Sequence, residues 1–126
     1  MIRVTAAVIE KNNKILIAQR KKEKHLGLKW EFPGGKMDGG ESPESCLRRE
    51  LKEEFGIETI IKDFIVKTRH KYPKVEIELL AYNVQYISGE FILIDHEKID
   101  WVNKEELTNY DFAEADLGII EKITRG

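Results

Sequence analysis

Glu50, Glu53 and Glu54 stand close together in the stretch RRELKEEFGI. If that stretch is helical, with Glu50 set at zero, Glu54 falls near ~40° and Glu53 near ~−60°, a shared arc of roughly 100°. Leu47, Leu51 and Phe55 then fall at roughly 60°, 100° and 140°, a separate apolar stripe able to face a core. Like charges four residues apart on a helix repel by a few tenths of a kcal/mol, and by more where water is excluded. A hard divalent cation offsets that repulsion, and Mg²⁺ is commonly held by a few carboxylates together with substrate phosphates. The residues just before the helix add to this. Gly34-Gly35 and Gly39-Gly40 permit close backbone approach, and their amides suit an anionic ligand. Lys36 supplies a point charge suited to phosphate. The alternative is an ordinary surface helix with a solvated acidic face.

The elements that must position these groups are well marked. Ser42 can cap a helix that starts at Pro43, and Gly56 ends it. Arg49 precedes Glu53 by four residues, within salt-bridge reach. Before the helix, Val4–Glu10 and Lys14–Arg20 read as strands joined by a turn at Lys11-Asn12-Asn13. A charged loop spans Lys21–Lys29, and Trp30–Phe32 is a short extended piece stopped by Pro33 and two glycines. After the helix, Ile57–Lys67 and Val75–Tyr86 read as strands broken at Tyr72-Pro73-Lys74. Phe91–Ile94 is read as an edge strand and Ile99–Val102 as another strand. Lys104–Leu107 is one helical turn, and Ala115–Ile123 is a closing helix. This order predicts an α/β (α+β) fold, a mixed sheet with helices on both faces.

Composition bounds the function. A chain of 126 residues is read as a single domain over residues 1–126, large enough to bury a core unaided. Hydrophobic residues make up 41% and charged residues 35%, which points to a globular protein in water. The net charge of −2, with both signs interspersed, gives no broad basic face for a nucleic-acid polymer or a membrane. A polyphosphate would have to be met by local cations and metal. Cys46 is the only cysteine, so no intrachain disulfide forms. No signal-peptide pattern or membrane-length apolar run is present, and the cytoplasm is the expected location.

The spacing Gly35, Glu41, Arg49, Glu50, Leu51, Glu53, Glu54, Gly56, Ile57 resembles the signature of the Nudix hydrolases without a departure. Seven fixed identities and two apolar positions coincide by chance on the order of once in 10⁹ windows. The stretch AQRKKEKHLGLKWEFPGGK is similar to the MutT-like branch of that family. The resemblance implies a Nudix αβα sandwich. It implies metal ligands at Glu50, Glu53, Glu54 and the Gly35 carbonyl, with Arg49 orienting the carboxylates and Glu41 near the site. A further carboxylate is expected from a later loop at Asp95, with Glu97 as the substitute. Arg20, His25 and Lys36 would line the nucleotide and phosphate site. Asp116 would read the base; an ionised carboxylate only accepts hydrogen bonds, which favours a base edge that presents donors.

The activity so implied is hydrolysis of a nucleoside triphosphate to the monophosphate and pyrophosphate, with Glu50, Glu53 and Arg49 as the catalytic group. Mg²⁺ is the expected ion, with Mn²⁺ as a substitute. The metal neutralises phosphate charge while a carboxylate, Glu50 or another, takes a proton from water. Candidate substrates are 8-oxo-dGTP and CTP or 5-methyl-dCTP. Two other readings stand beside it. One is a Nudix hydrolase of ADP-ribose, a dinucleoside polyphosphate or a capped RNA end. The other is a non-catalytic Nudix domain that senses a nucleotide.

Overall fold

The computed structural model describes residues 1–125. The strands are β1 (Ile2–Lys11), β2 (Lys14–Arg20), β3 (Trp30–Glu31), β4 (Gly34–Lys36), β5 (Glu58–Tyr72), β6 (Val75–Ser88) and β7 (His96–Val102). The helices are α1 (Pro43–Phe55) and α2 (Leu117–Arg125), with 3₁₀ segments at Lys104–Asn109 and Glu114–Asp116. The main path of the sheet runs β3-β2-β1-β6-β5. β1 and β6 are parallel, from Ile2↔Ile77 to Glu10↔Gln85. The remaining pairs are antiparallel, so the sheet is mixed as predicted.

The site is set by a split in this sheet. β1 and β2 pair only beside their turn, at Glu10↔Ile15 and Lys11↔Lys14. Asn12 and Asn13 make that turn with φ of 53° and 64°, the left-handed pair a tight hairpin asks for. Beyond it the two strands part. β2 takes β7 and β3 as neighbours, whereas β1 takes β4. The segment from Trp30 to Lys36 therefore crosses from β2 to β1, and the Pro33 carbonyl accepts from the Ala7 amide at 2.7 Å. Gly34 is required here, because a Cβ would stand 1.9 Å from the Thr5 carbonyl oxygen.

Two cores flank the sheet. On one face Leu47, Leu51 and Phe55 of α1 pack on Ala7, Ile9, Leu16, Leu80 and Val84. On the other, Ile119 and Ile120 of α2 pack with Phe32, Leu79, Ala81 and Phe112. The apolar stripe expected on α1 is the buried one, which leaves Glu50, Glu53 and Glu54 off the core-facing side. Ser42 caps α1 through its side chain, and Gly56 closes it at φ 71°.

Four sequence expectations need adjustment. Phe91–Ile94 is not a strand; it is a loop in which Phe91 packs on Phe55 and Trp101. The two strands that follow α1, β5 and β6, run further than their apolar pattern, to Tyr72 and Ser88, because they form one long hairpin turning at Tyr72–Val75. β4 was invisible in a glycine-rich run, since only pairing with β1 extends it. The closing helix starts two residues later than expected, after a 3₁₀ turn.

Candidate active site

A cavity of about 660 Å³ opens where the sheet splits. Its wall includes Gly35, Lys36, Glu54 and Asp95, and also Phe32, Leu79, Ala113 and Asp116. Arg20, Lys24, His25 and the hairpin residues Tyr72 to Val75 also line it. Seven residues singled out in the sequence thus share one cavity: Arg20, His25, Gly35, Lys36, Glu54, Asp95 and Asp116. Glu97 is exposed and does not line it.

The acidic face of α1 is organised by Arg49. Its guanidinium meets Glu41 at 2.7 and 2.9 Å, Glu50 at 3.1 Å, Glu53 at 3.0 Å and Asp38 at 3.4 Å. Fork geometry suits this multiple grip. The bond from Arg49, with the Asp38 amide, holds the Glu41 carboxyl at about 2. In return Glu41 raises the Arg49 guanidinium further above its ordinary value. The predicted Arg49–Glu53 pair is present, and Glu41 proves to be the stronger partner. Gly35 lies so close to α1 that a Cβ would sit 2.3 Å from Glu50 Cδ. The Gly35 carbonyl accepts from Thr5 Oγ1 at 3.2 Å.

Glu54 is different. Among the described residues it has no ion pair, and its Oε2 is buried without a hydrogen-bond partner. Burial first, then the charges of Glu50, Glu31 and Asp95, push its carboxyl up to about 8. A crowded, oxygen-only group with one orphaned buried oxygen is what a hard divalent cation would satisfy, so the residues present fit such an ion. They are not yet converged on one point. Glu53 is drawn outward by Arg49, and Asp95 pairs with Lys24 at 3.5 Å. Among the described residues no three His, Cys, Asp or Glu side chains stand close enough to hold an ion as they are.

Asp116, also in the cavity wall, is buried. Desolvation, with the charge of Glu31, drives its carboxyl well above the ordinary range, against the pull of the Phe32 amide and Arg20. The expectation of an acceptor-only group applies to the ionised carboxylate, which this burial disfavours. A buried carboxyl that keeps its proton both donates and accepts.

Sequence reasoning missed Glu31 and His96. Glu31 Oε1 accepts from Arg20 Nη1 at 3.0 Å, and Oε2 lies 2.8 Å from His96 Nε2. Arg20 also donates through Nε to the His25 carbonyl at 2.7 Å. The one available signal was that Glu31 alternates with the core residues Trp30 and Phe32. His96 follows a loop and had no pattern to reveal it.

Known proteins place this geometry in a family. A NUDIX domain model matches residues 4–122. The CTP pyrophosphohydrolase of Escherichia coli (strain K12) is 36% identical over 121 residues, covering 96% of this chain and 90% of the relative. The 8-oxo-dGTP diphosphatase of the same organism is 34% identical over 114 residues, covering 90% and 88%. The solution structure of the E. coli ORF135 protein superposes with a TM-score of 0.90 at 35% identity, covering 99% of this chain and 89% of that one. With the motif intact on α1 and the sheet split around one cavity, the chain belongs to the Nudix hydrolase family, in its MutT-like branch.

Proposed function

We propose that this Nudix hydrolase cleaves a nucleoside triphosphate to the monophosphate and pyrophosphate, using Mg²⁺ and working in the cytoplasm. The observation that carries this reading is the cavity itself. Its wall carries Glu54 of α1 beside Gly35, Lys36 and Asp95, and also the buried Asp116 with the apolar Phe32, Leu79 and Ala113. That combination suits a ligand with both a polyphosphate and a base. Relatives named for CTP and for 8-oxo-dGTP fit the same substrate class. Among the described residues no helix is long and apolar enough to cross a membrane.

Glu50, Glu53 and Glu54, with the Gly35 carbonyl and Asp95, would hold the ion. When bound, it supplies positive charge against the phosphates and acidifies water. The chain's own groups do the rest. Arg49 keeps Glu50 and Glu53 in place through bonds of 3.1 and 3.0 Å. Glu50 accepts the proton of the attacking water. Lys36 and Lys24 meet phosphate oxygens as point charges. Phe32, Leu79 and Ala113 give the base an apolar seat, and Asp116 reads its edge. Arg20 and His25 close the wall beside the hairpin tip.

A screen of about fifty nucleoside di- and triphosphates, with products identified by mass, tests the reading. A nucleoside monophosphate plus pyrophosphate is expected. Turnover of ADP-ribose alone would move the substrate class, and no turnover of any nucleotide with Mg²⁺ or Mn²⁺ would favour a sensing domain.

A further inference from the structure

His96 is a buried polar ring that the proposed chemistry does not use. It stacks on Phe55, the last residue of α1, with centroids 5.1 Å apart and planes 17° from parallel. Its Nδ1 is buried with no hydrogen-bond partner. An apolar ring would stack on Phe55 equally well and leave nothing unpaired, so the imidazole costs stability where it stands. What it adds is the bond to Glu31. Glu31 already accepts from Arg20, so His96 donates through Nε2–H at 2.8 Å. Both oxygens of Glu31 are thereby pinned, by two residues that face each other at one end of the β2–β7 pairing, Arg20 and His96. Glu31 itself lies on the cavity wall, within reach of the charge of both Glu54 and Asp116.

We propose that His96 is a positioning residue: it fixes the Glu31 carboxylate as an acceptor for the middle of the nucleotide, between the end bound at α1 and the end bound at Asp116. A carboxylate held through two donors keeps lone pairs free for a third, and a held acceptor loses little entropy on binding. The sugar of a nucleotide spanning the cavity passes this point and presents hydroxyl donors. Without His96, Glu31 would keep only the Arg20 bond and could turn out of register. This inference rests on the nucleotide hydrolysis proposed above.

The test compares His96→Phe, His96→Asn and His96→Gln. Phenylalanine keeps the stack and removes the donor. Asparagine puts its amide nitrogen near the Nδ1 position and cannot reach Glu31. Glutamine places a donor near the Nε2 position. For each variant KM and kcat are measured, with the dissociation constant of the product monophosphate by calorimetry and the melting temperature. His96→Phe and His96→Asn should each raise KM and the monophosphate dissociation constant roughly 10-fold or more, with kcat within about 3-fold. His96→Gln should restore both to within about 3-fold of the wild type. Wild-type KM in His96→Phe or His96→Asn overturns the inference. So does failure of His96→Gln to rescue binding while its melting temperature matches the wild type. Should the phenylalanine variant not fold, the asparagine and glutamine pair decides. Wild-type protein with no nucleotide turnover would sink the proposed function as well, whereas an active wild type with indifferent variants sinks only the role of His96.

Discussion

Replacing Glu54 by glutamine should make the metal-free protein less sensitive to alkali, and the size of the effect follows from burial. The carboxyl rests at about 8 in the fold against 4.5 for a free side chain. Below 4.5 both folded and unfolded chains hold the proton. Between the two values only the folded chain keeps it, so stability is greatest on the acid side and falls as pH rises through the folded value. From pH 5 to pH 8 linkage makes this one group cost the fold ~3 kcal/mol. For a chain of 126 residues the entropy of unfolding converts 1 kcal/mol to ~4 °C, so the melting temperature should drop about 12 °C more in the wild type than in Glu54→Gln across that range. Asp116 contributes a slope of the same sign in both proteins, and the difference between them isolates Glu54.

The assay is thermal melting at several pH values in chelator, repeated with Mg²⁺ in excess. Proton and ion compete for Glu54, so Mg²⁺ should raise the wild-type melting temperature more at pH 8 than at pH 5.5. Binding near pH 7 should release about one proton per ion, readable by calorimetry in buffers of different ionisation enthalpy. In Glu54→Gln both effects should shrink. Parallel pH slopes for the two proteins would refute the argument, because they would show that the Glu54 carboxyl is not held protonated by its surroundings.

Three other outcomes are expected. Glu53→Gln should cut turnover by orders of magnitude while the melting temperature in chelator stays within a few degrees, since that side chain is more than half exposed; near-normal turnover would remove Glu53 from the metal group. Gly35→Ala should leave the fold intact and lower kcat/KM about 100-fold or more, because the new Cβ lands 2.3 Å from Glu50 Cδ and only that flexible carboxylate can give way; unchanged kinetics would mean Glu50 tolerates displacement. Asp116→Asn should flatten the pH dependence of base preference. Burial favours the protonated form of Asp116, which donates and accepts where the ionised form only accepts, while the amide does both at every pH; kcat/KM ratios for a cytosine and an 8-oxoguanine triphosphate across the pH range in which both proteins stay folded would show it, and identical profiles would refute it.

Much of the site was legible because local physics placed it. The Ser42 cap, Pro43, the Leu47-Leu51-Phe55 stripe and Gly56 define α1 within its own sequence, and so fix which way Glu50, Glu53 and Glu54 face. Gly35 was legible as a place of close approach, though the neighbour it must admit, Glu50, comes from folding. Glu31, His96 and the parting of β1 from β2 were not legible. Each depends on pairings between distant segments: Trp30-Glu31 on β2, His96 opposite Arg20, Gly34–Lys36 on β1. Phe91–Ile94 misled for the opposite reason. Its apolar run looks like a strand, yet Phe91 alone turns inward while Ile92, Leu93 and Ile94 stay exposed.

The distribution of countercharges explains why two carboxyls stand out. Among the described residues Glu41, Glu50 and Glu53 share Arg49, Asp95 takes Lys24, and Glu31 takes Arg20 and His96. Among the described residues Glu54 and Asp116 have no ion pair, and both are pushed upward by burial and by neighbouring carboxylates, Asp116 against the pull of the Phe32 amide and Arg20. A buried acid without a partner destabilises the fold unless it stays neutral or a ligand supplies what the chain withholds. Both line one cavity. A cation at Glu54 and a hydrogen-bonding base at Asp116 would each relieve such a group, so under the proposed function these two acids, more directly than the paired ones, mark where the two parts of the substrate would sit.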